Sequence, residues 1–183
     1  LLFIALILVA RRLIPRDRQF PVPIALPPAD TALWPGSILL ALVLLQIIAG
    51  AFVAGLDAGL SYNTWPLMEG ALIPPGLAAL EPIWRNLFEN ALTVQFIHRL
   101  IAYAIVAWAA FALWRQTRRG GFAGAHGWLP RLFVLILIQV ALGIVTLLAV
   151  VPLSLALGHQ ALAFILAGVV PAYLAALAPP RRI

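Results

Sequence analysis

The chain has 183 residues, 64% of them hydrophobic and only 10% charged, with a mean hydropathy of +1.05; this is the composition of a polytopic membrane protein and excludes an ordinary soluble globular domain. With no cysteine, disulfides, thiolate metal sites and thioether attachment of a cofactor are excluded, so any metal is left to histidine or oxygen ligands. The net charge of +6 comes from twelve arginines and no lysine, set mostly in loops that flank apolar runs, which argues for membrane topology and against nucleic acid as a partner.

Residues 1–10 are apolar, but about ten residues fall short of the roughly 20 that a spanning helix needs. Arg11 and Arg12 follow this run, whereas a signal peptide carries its positive charge first. The expectation is the end of a truncated transmembrane helix. From Arg11 to Pro35, Arg16, Arg18 and five prolines before Trp34 predict an extended linker, so residues 1–35 form one region. Residues 36–183 form the other, with spans expected over 37–56, 91–114, 132–151 and 153–178, the last two joined by a tight turn at Pro152. Between the first two spans, residues 57–89 read as a long polar and aromatic loop with Tyr62, Trp65, Pro74, Pro75 and Trp84.

Ten of the twelve arginines, all but Arg85 and Arg99, fall on one side of this arrangement, which the positive-inside rule makes cytoplasmic. Loop 57–89 is then external, periplasmic for a bacterial inner membrane protein, and it holds four of the six acids. Trp34, Trp65 and Trp84 are expected as interface anchors, and Asp57, Glu69, Glu81 and Glu89 as solvated loop charges. His126, in a Gly-rich cytoplasmic loop, is expected to be solvated.

The chain repeats itself. Gln46 and Gly50 stand in Leu-Leu-Gln-Ile-Ile-Ala-Gly, matched by Gln139 and Gly143 in Leu-Ile-Gln-Val-Ala-Leu-Gly; His98, Ala102 and Tyr103 are matched by His159, Ala163 and Phe164. Each half is a helix with Gln-x-x-x-Gly followed by one with His-x-x-x-Ala-aromatic. The predicted fold is therefore all-α, a membrane four-helix bundle made by a duplicated helical hairpin.

At about 1.5 Å per residue, His98 and His159 lie roughly 12 Å and 10 Å below the external ends of their helices, a matched depth. Ala102 and Ala163 stand one turn below them, and Gly50 and Gly143 fall at a comparable depth on the other helices, where a missing side chain lets a ligand or a neighbouring helix approach. Two imidazoles ringed by small residues describe a slot for one haem held by both rings. The plainer reading is a histidine that hydrogen-bonds across helices. Zinc fits less well, since it takes at least three protein ligands. Arg99 either snorkels to the interface or meets haem propionates. Gln95, one turn above His98, either bonds the ring or a propionate or bridges helices.

Four stretches in order, Gly55-Leu-Asp-Ala-Gly59, Tyr62-Asn-Thr-Trp-Pro-Leu-Met-Glu-Gly70, Trp84-Arg-Asn-Leu-Phe-Glu-Asn90 and Gln95-Phe-Ile-His-Arg-Leu100, resemble the C-terminal half of haem A synthase of the proteobacterial and mitochondrial type; Gly158-His-Gln160 fits its last helix. The resemblance implies a membrane oxidoreductase of haem biosynthesis that oxidises a methyl group of haem O to the formyl group of haem A, for terminal oxidase assembly. It implies two pseudo-symmetric four-helix halves, with His98 and His159 as axial ligands of a resident haem b in this one. Haem O and haem A would be its small-molecule partners, haem O synthase or the terminal oxidase its candidate protein partners, with membrane lipid around it and a homo-oligomer as a candidate assembly. The substrate half of the family has another histidine pair and a glutamate three residues before the first of them; here that position is Gln95, which leaves the catalytic residue unknown. Two other classes stay open: a bis-histidine b-type electron-transfer cytochrome, and a non-haem assembly subunit or transporter whose histidines only pack.

Overall fold

Unbroken apolar sequence without strand signals leaves the backbone only one way to satisfy its own N–H and C=O groups in lipid, the α-helix. The computed structural model describes residues 29–118 and 127–177, with side chains from 34 to 118 and from 127 to 174. Four long helices result: α1 (Ala29–Gly55), α4 (Ala91–Arg118), α5 (Trp128–Leu148) and α6 (Leu153–Leu177), with short α2 (Ala58–Ser61), a 3-10 turn (Ile83–Arg85) and α3 (Asn86–Glu89) between α1 and α4. No strand occurs among the described residues, and stretches of 22, 28, 21 and 22 residues in the long helices are long and apolar enough to cross a membrane. Their exposed faces are apolar, with Leu45, Ile48, Ile138, Val145 and Ile165 all uncovered, as suits a chain solvated by lipid.

The structure corrects some predicted boundaries. Helix α1 begins at Ala29, inside the stretch expected to be extended as far as Pro35. One proline removes a single N–H bond and fixes φ at a helix-compatible value, so it does not forbid helix before it. Helix α4 runs past Trp114 to Arg118, with Arg115 and Arg118 in its last turn, where cations favour the negative end of the helix dipole. The helix end expected over residues 1–10, the cluster from Arg11 to Arg18, His126, Arg181 and Arg182 lie outside the described residues.

The chain divides into two compact units. The described part of one draws on residues 29–43, 105–118, 127–136 and 164–177, and its core is Leu39, Leu132, Ile136 and Val170. There the Trp108 indole N–H donates to the Pro35 carbonyl at 2.8 Å. Trp34 meets Trp108 edge-on at 5.5 Å, and the Arg115 guanidinium lies 4.8 Å over the Trp34 ring. Gly36 lets α1 close on α6, since a Cβ there would come within 2.5 Å of Leu174 Cδ2.

The other unit draws on Leu44–Ala104 and Leu137–Ala163, and it repeats a corner. At the end of α5 the N–H of Val150 bonds Leu147 O and that of Val151 bonds Thr146 O, the paired bonds of a Schellman cap. Val150 takes the left-handed position at φ 61, where glycine is usual. At the end of α1, Asp57 bonds Ala54 O in the same way with φ 50. Asp57 and Val150 each stand eleven residues beyond their glutamine, so the duplication read from side chains is also written in the backbone. Gly59 completes the contact, because a Cβ there would lie 2.8 Å from Val151 Cγ2.

Loop residues between α2 and α4 are organised by asparagine. Asn86, only 2% exposed, donates to Leu80 O at 2.8 Å and Ile83 O at 2.9 Å and accepts from Leu80 N at 3.0 Å. Asn90 caps α4 by accepting from Leu92 N at 3.1 Å and donates to Gly76 O and Asn86 Oδ1, both at 2.9 Å. Side-chain amides thus satisfy loop carbonyls and N–H groups that have no helix to pair with. Met68 to Ala71 form a two-residue turn with Glu69 at φ 52 and Gly70 at φ 76, the mirror-image type in which both central residues have positive φ.

Candidate functional site

All six residues expected at the site fall in the second unit. Gln46 and Gly50, four apart on α1, share one face, and that face meets His98 of α4. Gln46 Nε2 lies 3.1 Å from His98 Nε2, and a Cβ on Gly50 would stand 3.1 Å from His98 Cε1. The second copy has the same construction. Gln139 Nε2 lies 3.4 Å from His159 Nε2 and donates to the His159 carbonyl at 3.0 Å, while a Cβ on Gly143 would stand 2.8 Å from His159 Cε1. Each imidazole thus rests its edge on bare glycine backbone and has one nitrogen faced by a glutamine amide.

The other nitrogen of each ring, Nδ1, is buried without a protein partner, as is Oε1 of each glutamine. Buried polar atoms without partners are rare and call for a reason. Each ring thus has one nitrogen, Nε2, faced by a glutamine amide and the other, Nδ1, without a protein partner. No group of three or more His, Asp or Glu able to hold a metal ion occurs among the described residues.

Gln95 and Arg99 do something different from contacting a ring. Gln95, 3% exposed, donates through Nε2 to the Ala58 carbonyl at 3.2 Å, and Arg99 Nη2 donates to Tyr62 O at 3.2 Å and Gln95 Oε1 at 3.1 Å. They tie α4 to the corner after α1. Trp65 and Trp84 are exposed. Glu89 is exposed; the hydrogen bond donated by Arg85 holds its carboxyl below the ordinary range. The residues that sequence reading passed over are Gln46 and Gln139 as partners of the histidines. Their signal was present in the Gln-x-x-x-Gly spacing, which sets a polar hook one turn from a gap.

The family model described as cytochrome oxidase assembly protein, COX15-CtaA, matches residues 1–170. The chain is 57% identical over 125 residues to the heme A synthase of Azorhizobium caulinodans, covering 67% of this chain and 35% of that protein. It is 49% identical over 178 residues to the heme A synthase of Mesorhizobium japonicum, covering 94% of this chain and 46% of the relative. With the heme A synthase of Chelativorans sp. the identity is 46% over 180 residues, again 94% of this chain and 46% of the relative. The chain spans less than half the length of these relatives. No solved structure matches it.

Proposed function

From the premise that this chain belongs to the haem A synthase family of cytochrome oxidase assembly proteins, we propose that it is the haem b-holding half of a membrane enzyme of haem A biosynthesis, with His98 and His159 as the two axial ligands. The observation that carries this reading is the duplicated seat: two histidines, each with a glutamine on one nitrogen and no protein partner on the other. Haem b bound between them would supply one-electron transfer through its iron. The chain's own residues do the rest. Gln46 and Gln139, each against a ring Nε2, hold the two rings in one orientation. Gly50 and Gly143 give each ring room against the facing helix, and Gln95 and Arg99 hold the external end of α4 in place.

The parent enzyme would oxidise the methyl group of haem O to the formyl group of haem A; the acid that takes part would come from residues beyond this chain, since Gln95 has no ionisable group. Haem O synthase and the terminal oxidase are its proposed protein partners, and a homo-oligomer its proposed assembly. The domain boundary we propose lies near residue 36, with residues 36–183 as the haem-holding domain. Arginine placement supports cytoplasmic loops and C-terminus at the inner membrane, with residues 57–89 on the periplasmic side.

The test is spectroscopic. The purified chain should bind haem with a low-spin bis-histidine spectrum, and His98→Ala and His159→Ala should each abolish it. Normal haem content and an unchanged spectrum in either variant would refute the pairing.

A further inference from the structure

The histidine seats do not use the cation beside them. Arg99 shares a face of α4 with Phe96, Leu100 and Tyr103, spaced at i, i+3, i+4 and i+7. Together with Trp65, Met68 and Leu72 of the connecting loop, these residues line a cavity of about 340 Å³. Helical geometry puts His98 roughly 150° around the helix from the middle of that face, so the cavity is separate from the ring seats. Apart from Arg99, its named wall is apolar or aromatic.

The guanidinium is incompletely matched. Nη2 is engaged by Tyr62 O and Gln95 Oε1, but Nε and Nη1 are buried with no protein partner. No described carboxylate is paired with Arg99. A buried cation without a counter-charge is expensive in an apolar setting. Its surroundings are those of a membrane surface. Leu72 and Ile73 at the loop tip are 80% and 72% exposed, and Leu100 on the helix is 48% exposed, an apolar rim that belongs at the boundary between headgroups and acyl chains. Arg99 lies roughly 12 Å along α4 from its first residue, and arginine leans toward the helix N-terminus, carrying its charge up to headgroup level.

We propose that this cavity is a site for one anionic phospholipid, whose phosphodiester takes the Arg99 N–H groups that no protein atom uses and whose acyl chains lie along Leu100 and Tyr103. Charge complementarity selects an anion, and the apolar wall selects an amphiphile over a free ion. The volume, near the lower end of the roughly 300–1,000 Å³ of small-molecule sites, suits the head and the first methylenes, leaving the chains in the bilayer.

The experiment is native mass spectrometry of the full chain released from mixed phosphatidylglycerol and phosphatidylcholine vesicles, with haem content read on the same samples by absorbance. One phosphatidylglycerol per chain should persist in preference to phosphatidylcholine. Arg99→Gln should lower its retention by about tenfold or more, the effect of losing charge-assisted hydrogen bonds. Leu100→Trp, which fills the cavity and keeps the charge, should lower it too, and Arg85→Gln should leave it unchanged. Equal retention of the two lipids by the wild type, or unchanged retention in both cavity variants, overturns the proposal. Loss of haem in Arg99→Gln with lipid retention intact also overturns it, and assigns the arginine to a haem carboxylate. Lipid retention is measured whether or not haem is bound, so failure of the axial-ligand reading is seen separately.

Discussion

Alanine at three glycines of the α1 and α5 helices gives a graded test of the ring seats. At Gly55 a new Cβ meets nothing within 4 Å, at Gly50 it meets His98 Cε1 at 3.1 Å, and at Gly143 it meets His159 Cε1 at 2.8 Å, with Nδ1 at 3.3 Å and Nε2 at 3.5 Å. Replacing glycine by alanine inside a helix gains about 0.5–1 kcal/mol in backbone terms. Against this stands the steric cost. Carbon atoms pack best at about 3.5–4.0 Å, so Gly50→Ala needs a shift of a few tenths of an ångström and Gly143→Ala needs roughly twice that. Overpacking of this kind costs typically about 1–3 kcal/mol. The expected order is therefore Gly55→Ala neutral or slightly stabilised, Gly50→Ala close to neutral, and Gly143→Ala destabilised by about 1–2 kcal/mol net. For a chain of this size that is a fall of roughly 2–8 °C in the melting midpoint, followed by circular dichroism in detergent. Haem content should fall in the same order, because the displaced atom belongs to the ring. If Gly143→Ala melts and binds haem as Gly55→Ala does, the His159 ring is not seated on that glycine and the reasoning fails.

Val150→Gly should raise stability by about 1 kcal/mol or more, since a β-branched residue at φ 61 holds a position that glycine takes without strain; a lower melting midpoint in the variant would contradict this. Asn86→Ala strips bonds from Leu80 N, Leu80 O and Ile83 O and should cost about 2–4 kcal/mol through buried groups left unpaired; amide exchange across residues 76–90 would show it, and unaltered protection would count against it. The Glu89 carboxyl is held below its ordinary value of 4.5 by the hydrogen bond from Arg85. A depressed folded-state value means a contribution present above 4.5 and lost as pH falls through the lower folded value. Arg85→Gln should raise the Glu89 titration toward 4.5 in an NMR experiment, with no change in haem binding; a titration that stays put would rule out the pairing.

Much of this was legible because the membrane leaves few options. Length and hydropathy marked all four long helices, and the spacing of Gln46, Gly50, His98 and their copies marked two equivalent places. The helix ends were less legible. Pro35 looked like the last residue of a linker, yet a proline constrains only its own N–H and the residue before it, and the helix reaches back to Ala29. The roles of Gln95 and Arg99 were open in the sequence because spacing along α4 does not say which carbonyl of a distant corner a side chain will meet. Those partners, Ala58 and Tyr62, lie 37 residues away. Nor did anything in the string Leu147 to Pro152 announce a left-handed valine, for which a glycine would have been the usual sign.

The two ring seats are alike in shape but tethered differently. His159 and its glutamine sit on helices joined by the four residues from Ala149 to Pro152, so neither helix can slide past the other. His98 and its glutamine sit on helices separated by residues 56–90, and a slip of one residue rise, about 1.5 Å, would carry the Gln46 amide out of reach of the ring. The first seat is the compliant one. Strain applied to residues 56–90 would be felt at the His98 ring and not at the His159 ring, and ring-nitrogen NMR of the two histidines would see them respond unequally.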